Sequence, residues 1–268
     1  AMEMAKQGHN VTLLSRFNNW NIVDESRDIM KKNLSDIGVL CLDFLSEKSW
    51  IDVLGKFDYA FISQGPEFES LVTYDHCKKI INVVHSEYDV EIPMKVADAW
   101  VAIRPSIKEH LIENYKIPKD DIHVIYNPID RERFNPSLRK HDRYHYKKII
   151  VPATLDPLRE KFLNFLIDKA NPDYRVEIYG KPCGANLHRN KFATFHDPVF
   201  NIEDVMADAD CVMGILLGRV NLEACSMGIT SFIHNPDNPE EWEMFRLSDS
   251  LFDKRHNVKN VVKQLLSL

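Results

Sequence analysis

The sequence predicts an α/β protein with two parallel-sheet domains, and three observations lead there. Short apolar runs of strand length alternate with longer helical stretches, the pattern of parallel strands joined by crossover helices. The alternation occurs twice, before and after Ser137 to Lys147, a charged stretch without apolar period that reads as a linker, its His141 and His145 as solvated. The chain of 268 residues has room for two domains of ordinary size, and 44% hydrophobic against 28% charged residues suits a chain that buries real cores. The expected division is 1–136, a linker at 137–147, and 148–268.

Taken in order, Ala1 to Gly8 reads as the end of a helix, with Met2, Met4 and Ala5 on its apolar side and Gly8 as its stop. Val11 to Leu14 follows as a buried strand. A sheet of this kind ordinarily opens on a strand, so the first domain is expected to lack its first strand, as in a truncation, a start-site error or a reduced variant. Further strands are expected at Val39–Leu42, Tyr59–Ile62, Ile80–Val84, Trp100–Ile103 and His123–Tyr126, with helical stretches between them. The second series runs Ile149–Val151, a helix Glu160–Ala170, Arg175–Tyr179 ending at Gly180, Phe192–Phe195, a helix Ile202–Ala209, Cys211–Leu216, a helix Leu222–Met227 and Ser231–Ile233. Val258 to Leu268 reads as an amphipathic helix closing the second domain.

Charge and cysteine usage exclude several function classes. A net charge of -6 disfavours a nucleic-acid backbone as main partner, because phosphate neutralisation needs clustered Lys and Arg. The 5 cysteines are scattered, without a Cys-x-x-Cys pair, which fits reduced thiols in a cytoplasmic protein better than a disulfide framework or a zinc site. No apolar run reaches the about 18 residues of a spanning helix, so any membrane contact is expected to be peripheral.

The most informative stretch is Cys211 to Gly228. A buried strand, a glycine turn at Gly218 and a helix opening at Arg219 and Val220 present unpaired backbone N–H groups and the positive end of a helix dipole to an anion such as phosphate. Glu223 falls one and a half turns into that helix, where a carboxylate can accept from two vicinal ribose hydroxyls. The bland alternative is an ordinary strand-turn-helix with a surface glutamate.

These residues resemble a known family. Leu222 to Gly228 is similar to the nucleotide-sugar signature of the GT4-type retaining glycosyltransferases, the group 1 glycosyltransferases. That signature carries two glutamates, of which Glu223 matches the second, while Ile215 stands in place of the first. Val124 to Asp130 with Phe134-Asn135-Pro136 resembles the interdomain signature, Asn201 to Asp210 the acidic helix before the signature strand, and Ile81 to His85 the strand carrying an active-site histidine. Asp98 to Ile103 resembles the strand after it.

The resemblance implies a GT-B fold, two Rossmann-like domains facing across a cleft, and a cytoplasmic hexosyltransferase. It implies transfer of a sugar from a nucleotide-diphosphate donor, with retention and without a metal or other cofactor, to a glycan, lipid-linked or small-molecule acceptor. In the family's pattern His85 faces the transferred sugar, and Lys161 matches the lysine that meets the leaving pyrophosphate. The family's arginine has no match, and Arg159 or Arg219 is the substitute. Donor contacts are expected from Glu223, Gly218, Arg219, Val220 and position 215, with Gly180, Lys181 and the stretch from Phe195 to Val199 beside the base or ribose. Ile215 implies a less polar sugar, a different donor pose or lost activity. The alternatives on the same fold are a catalytically silent nucleotide-sugar-binding or scaffold protein and a nucleotide-sugar 2-epimerase.

Overall fold

The computed structural model describes residues 1–15, 24–43, 56–63, 72–87, 92–140, 147–214, 218–234, 238 and 241–268. Ile215, His141 and His145 lie outside the described residues. The chain divides into two compact units, Ala1–Asp43 with Ile129–Phe252 and Phe44–Pro128 with Asp253–Leu268. These units do not coincide with a division at 137–147.

Along the chain, α1 (Met2–Lys6) ends before Gly8, whose φ of 89° is the left-handed stop expected of a glycine there. β1 (Val11–Ser15), α2 (Asp24–Asp36) and β2 (Val39–Asp43) follow, with β1 and β2 paired parallel from Val11 opposite Val39. In the other unit β3 (Phe57–Ile62), β4 (Cys77–Val84), β5 (Ala99–Ala102), α3 (Pro105–Tyr115) and β6 (Ile122–Val124) form a parallel sheet of order β3-β4-β5-β6 with a crossover helix. All of β5 is buried, the mark of a strand covered on both faces.

The larger sheet belongs to the first unit. It is built from β7 (Lys147–Pro152), α4 (Pro157–Lys169), β8 (Tyr174–Tyr179), β9 (Ala193–His196), α5 (Ile202–Met206), β10 (Cys211–Gly214), α6 (Arg219–Ser226), β11 (Thr230–His234), β12 (Trp242–Phe245) and α7 (Asp249–Arg255). Its order is β12-β11-β10-β7-β8-β9, parallel except for the edge strand β12, which pairs antiparallel with β11. Alternate residues divide between the two faces. Val151, Val176, Ile178 and Met213 pack under Phe162, Leu163, Leu166 and Ile167 of α4, and Ile150 and Val212 pack under Met206, Leu222 and Ala224 of α5 and α6. α4 starts one turn earlier than expected because Asp156 caps it, accepting from the Arg159 N–H at 3.1 Å, with Pro157 at the first helical position.

The last helix, α8 (Val258–Leu266), corrects the expectation that it closes the second domain. Its apolar stripe is buried in the second unit: Val261 joins Ile81, Val101 and Ile125, with Leu265 packed against them, and the Tyr59 hydroxyl donates to the Leu266 carbonyl at 3.2 Å. An amphipathic helix settles on whichever apolar face is uncovered, and sequence order alone does not say which sheet offers one. Among the described residues no helix is long and apolar enough to cross a membrane.

Candidate functional site

The carboxyl ends of β7, β8 and β9 finish level with one another, Pro152 opposite Tyr179 and Tyr179 opposite His196. Past that line the chains stay laced together. The Ala153 N–H donates to the Tyr179 carbonyl at 3.0 Å, the Leu155 N–H to the Lys181 carbonyl at 3.2 Å and the Gly180 N–H to the His196 carbonyl at 3.0 Å. Gly180 is required by this closeness, since a Cβ there would stand 1.7 Å from the Ala153 carbonyl oxygen. The result is a cavity of about 400 Å³ at the edge where ligands bind in open α/β sheets. Leu155, Pro182, Ala185, Leu187 and Phe195 form its apolar lining, and His188, Arg189, His196 and Asp197 its polar lining.

One wall of the cavity, residues 185–189, is fastened to α4. Glu160 accepts from the Asn186 N–H at 2.6 Å, Asn164 donates to the Asn186 carbonyl at 2.9 Å and accepts from the His188 N–H at 2.8 Å, and Asp168 meets the His188 ring at 2.9 Å. Positions 160, 164 and 168 share one helix face. Beneath the cavity the His196 ring stacks on Tyr179 with centroids 4.4 Å apart, and the Tyr179 hydroxyl donates to Glu177 at 3.1 Å. Burial, reinforced by the Glu177 charge, pushes the Tyr179 phenol up to about 12.

Glu223 is buried on α6, only 6% exposed, and accepts from Arg219 Nε at 2.8 Å. Burial raises its carboxyl above the ordinary range, and the charges of Arg219 and Arg133 partly offset that effect. Arg133 makes a two-pronged pair with Glu203, both contacts 2.8 Å, and donates to the Phe200 carbonyl at 2.5 Å. The segment from Asp197 at the cavity to Glu203 beside Arg133 therefore ties the cavity to the surroundings of Glu223. Glu223 is thus a buried, partly compensated carboxylate, which excludes the surface-glutamate reading.

The start of α6 is more committed than the sequence implies. The Gly218 N–H, expected to meet phosphate, here donates to Asn221 Oδ1 at 3.2 Å. Asn221 is fully buried, and its amide also donates to Ser231 Oγ at 2.8 Å and to the Phe232 carbonyl at 3.0 Å, locking the turn to β11. Arg219 and Val220 occupy the first two helical positions, whose N–H groups have no partner within a helix.

Other expected residues of this unit are scattered around this edge. Lys161 is exposed on α4 and makes no hydrogen bond or ion pair among the described residues, whereas Arg159 is paired with Asp156. Lys181 and Val199 are exposed beside the cavity-lining residues Pro182 and Asp197. His85 is exposed just past the end of β4, in the other compact unit. Sequence reading missed Asn221, Arg133, His188 and Arg189. The wall carries no apolar period, so only the repeat of polar residues at 160, 164 and 168 hinted at a fastened loop. Among the described residues no three His, Cys, Asp or Glu side chains gather as a metal site.

Residues 1–133 match the family model described as Glycosyltransferase Family 4. No curated protein matches the sequence. Among solved structures the chain is similar to an Anabaena protein, Alr3699/HepE, in complex with UDP and glucose, at a TM-score of 0.64 and 13% identity, covering 88% of this chain and 88% of that one. The UDP complex of the same protein aligns over 97% of this chain and 99% of that one, at 12% identity and a TM-score of 0.59. A glycosyltransferase from Rickettsia africae ESF-5 aligns at a TM-score of 0.60 and 17% identity, over 86% of this chain and 72% of that one.

Proposed function

Because the chain belongs to the GT4-type glycosyltransferases, with the GT-B fold and a family model matching residues 1–133, we propose that it transfers a sugar from a nucleotide-diphosphate donor to a glycan, lipid-linked or small-molecule acceptor. The observation that carries the reading is the pairing of a cavity at the carboxyl edge of β7, β8 and β9 with a buried carboxylate, Glu223, on the helix that opens beside it. The cavity takes the base, Glu223 takes the ribose hydroxyls, and the N–H groups of Arg219 and Val220 meet the pyrophosphate. Leaving-group charge is stabilised there by fixed dipoles and by Lys161, with no metal in the step. His85 faces the sugar, and transfer proceeds with retention in the cytoplasm, a hexose being the sugar moved. Ile215 provides no acceptor for a sugar hydroxyl, so the nucleotide half of the donor dominates its binding.

A second reading, a silent nucleotide-binding module, draws on the engagement of Glu223 by Arg219 and of the Gly218 N–H by Asn221. Incubation with a panel of nucleotide sugars, with and without acceptor extract, separates the two. Release of free nucleoside diphosphate with sugar on an acceptor supports the transferase. Binding without turnover supports the module, and absence of binding refutes both.

A further inference from the structure

We infer that the cavity beyond β7, β8 and β9 selects guanine, so that the donor is a guanosine-diphosphate sugar; this rests on the reading of the cavity as the base pocket. Among its polar lining residues, the two histidines carry no fixed charge: the His188 ring is held by Asp168 at 2.9 Å, and the His196 ring stacks on Tyr179, its buried Nε2 making no hydrogen bond among the described residues and lying 3.7 Å from Glu177. The other two, Arg189 and Asp197, make no hydrogen bond or ion pair among the described residues. The charged recognition groups of the cavity are therefore one guanidinium fork and one carboxylate.

That pair matches guanine. A guanidinium donates two parallel bonds to O6 and N7, and a carboxylate accepts from N1–H and the exocyclic amine together. Uracil has a single N–H for the carboxylate. Adenine would turn the bare lone pair of its N1 toward it, leaving both acceptors unpaired. These groups line one cavity: Phe195, 41% exposed at the sheet edge, and Asp197, two positions further on, both face it. Arg189 follows directly on the wall fastened to α4, whose path is fixed by Asn164 and Glu160. A purine also covers more of the Phe195 ring and the apolar lining than a pyrimidine does.

The test is calorimetric titration of the full chain with guanosine, uridine and adenosine diphosphates at one ionic strength. Guanosine diphosphate is expected to bind at least about tenfold more tightly than the other two. Asp197→Asn, at an exposed position, is expected to abolish that preference, leave the other two within about threefold, and improve binding of xanthosine diphosphate, whose C2 carbonyl receives the new amide donor. A wild-type chain that binds uridine or adenosine diphosphate as tightly as guanosine diphosphate overturns the assignment while leaving the nucleotide site standing. Equal weakening of all three by Asp197→Asn overturns the role of Asp197. Failure to bind any diphosphate removes the base pocket itself.

Discussion

Replacing Glu223 by glutamine separates a binding role from a packing role, because the two predict opposite signs for stability. Glu223 is 6% exposed, and burial is the largest influence on its raised carboxyl. A carboxyl raised in the native state gives stability that is fully present below its unfolded value and lost as pH rises through the raised native value. At neutral pH the wild-type chain therefore carries the desolvation cost of an ionised group, only partly offset by Arg219, whose own side chain is 58% exposed. Glutamine keeps the shape and can still accept from Arg219 Nε while shedding that cost. The expected gain is on the order of 1 kcal/mol at most, about 2 to 4 °C in melting temperature for a chain of this size, and it disappears at pH values below the ordinary carboxylate range. Binding moves the other way. If the carboxylate accepts from ribose hydroxyls, downgrading one charge-assisted bond weakens nucleoside diphosphate affinity by about tenfold, ~1.4 kcal/mol. Thermal melts at acid and neutral pH, run beside calorimetric titration, read both quantities. Unchanged affinity, or a loss of stability at neutral pH, would refute the reasoning.

Gly180→Ala should destabilise by about 3 kcal/mol or more, since its Cβ meets the Ala153 carbonyl oxygen at 1.7 Å and the strand ends must part; urea denaturation measures this. Asn221→Ala strands the Gly218 N–H, the Ser231 hydroxyl and the Phe232 carbonyl, and a loss of about 3 kcal/mol is expected in the same experiment. Among the cysteines, burial pushes Cys211 up to about 12 and Cys225 up to about 11, while Cys183 is exposed. Maleimide labelling of the native chain near pH 7 should thus show a fast phase that Cys183→Ser removes, with Cys211 and Cys225 modified only on unfolding. Asn164→Ala should accelerate amide exchange across residues 185–189 and weaken diphosphate binding severalfold with little change in melting temperature; unaltered exchange would show that the wall holds its path without α4.

Strands were the most legible part of the fold. β1, β2, β3, β4, β7, β8 and β11 fall where apolar runs predict them, because a run of apolar residues bounded by turn signals is the local mark of a parallel strand. β12 and α7 were missed: β12 is an edge strand whose Trp242 and Met244 are exposed, so its residues report no buried pattern. The partner of α8 was not legible either, since its stripe says only that some apolar face is covered. At the candidate site, Gly180 and Glu223 stand out in sequence because their chemistry is local to a strand end and a helix turn. The roles of Asn221 and Arg133 depend on partners 10 and 70 residues away, Ser231 and Glu203, and no spacing rule connects such positions.

The fastening of the cavity wall to α4 has an evolutionary consequence. Three of its four grips seize main-chain atoms, the N–H and carbonyl of Asn186 and the N–H of His188, so the path of the wall is dictated by the helix and not by the side chains that the wall displays. Residues such as Leu187 and Arg189 can then be exchanged by mutation without disturbing the frame that presents them. Insertions are another matter. One extra residue within α4 would rotate the later grips by about 100° and unhook the wall, so the helix is intolerant of length changes where the loop is tolerant of composition. A lineage could in this way retool what the cavity recognises by drifting at a few wall positions, with the outward face of a neighbouring helix serving as the fixed template.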